Sequence, residues 1–206
     1  MITYSITTTS EPAEEPITTA EAKSQARIDI ADDDTLVASF IVAARLEAES
    51  WLGRRLVTQT IDAYFDCWPH VAYYTGTRQA IHLPGGPAQS ITHIKYYDAD
   101  GTLTTWDAAS YYTDLNGLSP RIALASGYSY PTLQTNRPAA IQIRSVVGYG
   151  AASAVPAGIK TAIAMRVADM YEHREARLDA NMNAADNPTW VAIMSPYRII
   201  DYRLGG

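Results

Sequence analysis

The sequence predicts an α+β chain: a helical core of three main helices, an antiparallel strand-rich insertion between the second and the third, and an extended C-terminal arm. Three observations carry this expectation. Residues 33–52 and 155–176 repeat their apolar side chains every three or four positions, which paints one stripe along a helix. Between those stretches the repeat falls to two, as in a half-buried strand. The strands are joined by short turns, whereas a parallel crossover needs a dozen residues or more, so their pairing is antiparallel.

Taken in order, residues 1–16 are rich in Thr, Ser, Glu and Pro, show almost no apolar periodicity and read as a flexible arm. Thr18-Thr19-Ala20-Glu21 has the form of a capping box, opening a short helix from Thr19 to about Ile30. Asp32-Asp33-Asp34 sets negative charge where the start of a second helix favours it. That helix covers about 33–52 with Val37, Phe40, Ile41, Ala44, Ala48, Trp51 and Leu52 as its stripe, and Gly53 supplies a left-handed stop. From Leu56 the period changes: Val57, Ile61, Ala63 and Phe65 alternate with Thr58, Thr60, Asp62 and Tyr64. Pro84-Gly85-Gly86-Pro87 breaks the chain, and 91–97 with 103–106 flank the Asp98-Ala99-Asp100-Gly101 turn of a hairpin. A second turn at Asp114-Leu115-Asn116-Gly117 leads to 121–124, and 128–138 is an irregular loop. Ile141, Ile143, Val147 and Tyr149 alternate with Gln142 and Arg144 in the last strand, making five or six strands in all.

Pro156 suits the first turn of the third helix. Its stripe is Ile159, Ala162, Ile163, Val167, Met170 and Tyr171, while Lys160, Arg166, Asp169, Glu172 and Arg174 occupy much of the remainder. The closing segment mixes Trp190, Ile193, Met194 and Tyr197 with Pro188 and Pro196, and has no clean helical face beyond 189–194. Apolar clusters of that kind, left bare, mark interaction surfaces. The division expected is a flexible arm at 1–16, a helical core from 17–55 and 151–180, a β insertion at 56–150 and a C-terminal arm at 181–206.

With 206 residues, 47% of them hydrophobic, the chain can bury a substantial core. A net charge of −6 argues against a protein whose task is gripping phosphates. One cysteine, Cys67, excludes an intramolecular disulfide and any cysteine-based metal cluster. The N-terminus lacks the basic-then-apolar order of a signal peptide, and the longest apolar run, 36–44, is about half a membrane span. A soluble protein made in a cytoplasm is expected.

The search for chemistry yields no catalytic, cofactor or metal residue. His70, His82, His93 and His173 are not paired at ligand spacing. Asp98 and Asp100 resemble the start of a calcium loop whose remainder is missing. Gly85-Gly86 and Gly148-Tyr149-Gly150 lack the spacing of a phosphate loop. Asp62 and Asp66 could pair as in a glycosidase, but their strand face reads as solvent-exposed. Arg54-Arg55 and Arg174 with Arg177 are too few for a nucleic-acid footprint. Fourteen tyrosines against two phenylalanines favour surfaces that are wet before assembly and buried after it, although ordinary sheet filling explains about half of them.

The order of these elements is itself informative. Two helices ending Ala-Glu-Ser-Trp-Leu-Gly-Arg-Arg-Leu lead into Val-Thr-Gln-Thr, and Leu-Pro-Gly-Gly-Pro-Ala-Gln-Ser-Ile-Thr and a Tyr-Asp-Ala-Asp-Gly turn follow. Next come Val-Gly-Tyr-Gly and then Val-Pro-Ala-Gly-Ile-Lys-Thr-Ala-Ile-Ala, opening the third helix. This arrangement resembles the phage head–tail connector, or adaptor, proteins that also occur in gene transfer agents. The likeness covers residues 17–177 and, more loosely, Ser195-Pro196-Tyr197-Arg198. It implies a non-enzymatic virion protein of the head–tail neck: a ring of twelve copies beneath the portal, meeting a tail-side connector or terminator, with DNA passing through its lumen. Arg166, Asp169, Glu172 and Arg174 would then meet the neighbouring copy, and Trp190, Ile193, Met194, Pro196, Tyr197 and Arg198 would dock on the portal or a neighbour. Assembly in the host cytoplasm, without cofactors or membrane, completes the expectation. The strand-rich insertion departs from a purely helical connector. Two other classes stay open: a tail-associated enzyme acting on carbohydrate, and a monomeric β-rich binding module.

Overall fold

The computed structural model describes residues 4–68, 80–117, 119–173 and 188–199. It divides into two compact units, one from residues 1–13 and 58–149 and one from 14–57 and 150–206.

The first unit holds eight strands among the described residues: β1 (Tyr4–Ser10), β2 (Gln59–Phe65), β3 (Ala80–His82), β4 (Ala88–Tyr97), β5 (Leu103–Thr105), β6 (Tyr111–Asp114), β7 (Arg121–Leu124) and β8 (Ile141–Val147). An antiparallel sheet runs β1-β2-β8-β4-β5, and a second runs β3-β7-β6. The count exceeds the expected five or six through β1 and the short β3 and β6. β1 lies where a flexible arm was expected: Tyr4 pairs with Phe65 and Ser10 with Thr60 along the edge of the larger sheet. Backbone pairing needs no apolar alternation at such an edge, and Ile and Thr suit extended backbone. Ile61, Ala63 and Phe65 of β2, with Ile141 and Ile143 of β8, face the core as the two-residue period demands. Trp68 and Trp106 complete it, with ring centroids 4.9 Å apart, and Tyr130 stacks on Trp68 at 5.1 Å.

The second unit is built on α1 (Thr19–Ala26), α2 (Asp34–Leu52), α3 (Ala157–Glu172) and α4 (Pro188–Met194). The capping box forms: the Thr18 N–H donates to Glu21 at 2.6 Å while the Glu21 N–H donates to the Thr18 hydroxyl at 3.1 Å. α1 stops at Ala26, four residues before the expected end, on a left-handed Arg27 whose φ is 54°. α2 ends as expected on a left-handed Gly53. Pro156 sits one position outside α3, at its N-cap, rather than in its first turn.

Ile159, Ala162, Ile163 and Val167 are buried within this unit, as are Val37, Ile41, Ala44 and Ala48. A buried carboxylate, Glu49, is satisfied by the Leu56 N–H at 3.0 Å, Arg55 at 3.0 Å and Arg45 at 3.4 Å. In the C-terminal segment the described residues hold a short helix over the 189–194 stretch that reads as helical, and the rest of the expected arm, 181–187 and 200–206, lies outside the described residues. Pro188 starts α4, where a missing N–H costs nothing, and a 3-10 turn, Ser195–Tyr197, follows.

Candidate functional site

Among the described residues, Asp62, Asp66 and Asp98 are occupied in holding the fold, and His70 lies outside the described residues. Asp62, expected on an exposed strand face, is only 4% exposed and takes Arg144 Nε and a terminal nitrogen at 2.7 Å each, with Gln142 at 2.9 Å. The Arg144 guanidinium holds the Asp62 carboxyl below the usual aspartate range, which suits a permanent anion and not a general acid. Asp66 accepts the Ala139 N–H at 2.8 Å. Asp98 accepts the N–H groups of Asp100 and Thr102 at 3.1 and 2.9 Å, so the carboxylate that resembled a calcium ligand closes its own hairpin. Among the described residues no cluster of three His, Cys, Asp or Glu could hold a metal ion, and no helix is long and apolar enough to cross a membrane.

The residues expected at a ring interface are brought together, but by pairing within the chain. Arg166 Nε reaches Glu47 of α2 at 2.7 Å, and its NH1 reaches Asp169 at 2.7 Å. His173 Nδ1 stands 3.4 Å from Asp169. Glu172 is exposed, and Arg174 lies outside the described residues.

The expected docking residues divide by exposure. Trp190 is 9% exposed and Met194 is fully buried, so neither is free to serve as an anchor for another molecule. The Trp190 ring meets Trp51 of α2 edge-on at 5.2 Å. Arg198 places its guanidinium 4.7 Å over that same Trp51 ring, and the Ile199 N–H donates to Leu52 at 3.0 Å. Tyr197 packs on α3 at Gly158, where an added Cβ would come within 2.9 Å of the phenol oxygen. Ile193 is half-buried, while Pro196 and Arg198 are exposed. The segment is therefore clamped to its own unit, and only its outer side is left for a partner.

Sequence reasoning missed the outer side of α2. Thr35, Ala38, Ser39, Val42, Ala43, Leu46 and Ser50 are all exposed and none is charged. Val42 and Leu46, one turn apart, remain 38% and 47% exposed. Beside Ala38 and Val42 opens a groove of about 470 Å³ walled by Pro16, Ile17, Ile41 and Lys160. The signal was present: residues 35–44 contain no charge, so both faces of the helix are uncharged there.

No family model matches the chain, and no curated protein is significantly similar to it. Solved structures do match. A chain in "Neck of empty GTA particle computed with C6 symmetry" aligns over 98% of both chains at 22% identity, with a TM-score of 0.75. A chain in "Virion of native gene transfer agent (GTA) particle" aligns over 98% of both at 21% identity and a TM-score of 0.71. A chain in "Neck of native GTA particle computed with C12 symmetry" aligns over 96% of this chain and 98% of that one, at 22% identity and a TM-score of 0.64. This chain shares their fold.

Proposed function

We propose that this chain is a structural protein of the neck of a phage or phage-like particle. Copies of it form a ring, twelve in number, that joins capsid to tail. The observation that carries the reading is the end-to-end likeness, over 98% of both chains, to a chain of a gene transfer agent neck computed with rotational symmetry. Twelvefold symmetry in a second neck structure of the same fold supports the copy number.

On this reading the ring sits beneath a portal protein and above a tail-side connector or terminator. The exposed Pro196 and Arg198, presented by a segment fixed at Trp51 and Leu52, face one of these partners. A chain of net charge −6 lines a passage that DNA crosses without sticking, because like charge repels the phosphates. The protein acts by fit and not by turnover, and the burial and pairing of Asp62 disfavour a carbohydrate-cleaving role.

Imaging particles that carry a tagged copy of the chain tests the reading. The expected result is tag density in a ring at the portal vertex, and tailless heads when the chain is deleted. Tailed particles assembled without the chain overturn it.

A further inference from the structure

We propose that the uncharged outer face of α2, centred on Val42 and Leu46, is where the next copy of this chain seats. The inference rests on the ring reading above and names its contact surface. A helix facing water carries charge on its wet side, yet all seven outer positions of α2 from Thr35 to Ser50 lack it. Val42 and Leu46 raise two bulky apolar side chains from a lawn of Ala, Ser and Thr. The flanking charges are already committed. Arg45 is held by Glu15 at 2.7 Å, and Glu47 by Arg166 at 2.7 Å, so neither needs a partner from outside. Ala38 and Val42 continue this face into the 470 Å³ groove over Ile17 and Ile41, which can receive a side chain from the partner.

Charge decides the occupant. Every copy carries −6, so two copies repel each other unless they meet through neutral surface. The groove's rim carboxylates are held within the chain, Glu14 by the Ala152 N–H at 2.7 Å, Glu15 by Arg45 and Glu21 by the α1 cap, with Lys160 beside them as a counter-charge. A nucleic acid would demand a cluster of cations, and this surface offers none on the outer side of α2 and the single Lys160 in the groove. The contact is heterologous, because a closed ring of more than two copies cannot bring a face against itself throughout. The α2 face of one copy therefore meets a different surface of its neighbour.

A photo-crosslinking side chain, p-benzoylphenylalanine, at Leu46 tests this in assembled particles, with the same group at Tyr112 of β6 for comparison. Irradiation at Leu46 is expected to give an adduct of twice the 22.5 kDa chain. A chain present in the neck that gives no self-adduct, or that couples at Leu46 to a different virion protein, overturns the inference and leaves the ring reading standing. A chain absent from the neck overturns both. As a second measurement, Val42→Asp with Leu46→Asp is expected to keep the thermal midpoint of the free chain while lowering tailed-particle yield at least tenfold. Normal yield from that variant overturns the inference.

Discussion

Asp62 and Arg144 stand opposite each other on β2 and β8, and their side chains close a bidentate pair with Asp62 nearly enclosed. Removing one partner of a buried pair costs about 3–5 kcal/mol, and Arg144, with a third of its side chain exposed, brings this down to roughly 2 kcal/mol. Asp62→Asn should lose that much stability at pH 7 in urea denaturation. Because Arg144 depresses the folded pKa of Asp62, the increment is present above the unfolded value near 4 and is lost as pH falls through the folded value. The gap between wild type and variant should thus narrow at pH 3; a gap that stays constant contradicts the assignment. Gly158 gives a second residue-scale test. Glycine in a helix interior costs about 1 kcal/mol against alanine and less in the first turn, where Gly158 sits, but a Cβ here would crowd Tyr197. Gly158→Ala should gain nothing alone and about 0.5 kcal/mol in a Tyr197→Ala background, read from a double-mutant cycle of unfolding free energies. Alternation along β2 made the side of the strand that carries Asp62 legible. Its burial was not, because it depends on Arg144, more than eighty residues away in the chain.

At the scale of the element, α2 and α3 were readable because each carries its burial pattern within its own sequence. The C-terminal segment was not. Trp190, Ile193 and Met194 are too apolar to leave bare, and the sequence alone does not tell cover by another molecule from cover by the same chain. The structure supplies it from Trp51 and α3 of the same unit. Trp190→Ala should therefore lower stability by about 3 kcal/mol, as expected for emptying a packed tryptophan site. Removing 188–206 should lower the thermal midpoint, and a truncated chain as stable as the full one contradicts the packing. β1 escaped for the opposite reason: its ladder to β2 is a backbone affair that leaves little trace in side-chain pattern.

For the whole molecule, the order of helices and strands was enough to suggest the fold now matched in gene transfer agent necks. What the order could not show is which surface stays open, since that depends on how each charge is spent after folding. Copies of net charge −6 that meet through a neutral face should associate more strongly as salt rises and screens their repulsion. Sedimentation of concentrated protein from about 0.05 to 0.5 M salt should show growing self-association. A protein held to its partner by cations against phosphate would weaken over the same range.

Neither unit is continuous in the chain: one takes 1–13 and 58–149, the other 14–57 and 150–206. On the ribosome this imposes a wait. α2 has left the exit tunnel long before α3 exists to cover it, and β1 idles until β2 arrives. At about 5–20 residues per second, the stretch from Leu52 to Ala157 leaves the α2 stripe without α3 for about 5 to 20 seconds in every round of translation. Chaperones thus have a window of seconds on each newborn chain, and any message that ends early releases a polypeptide with half a core.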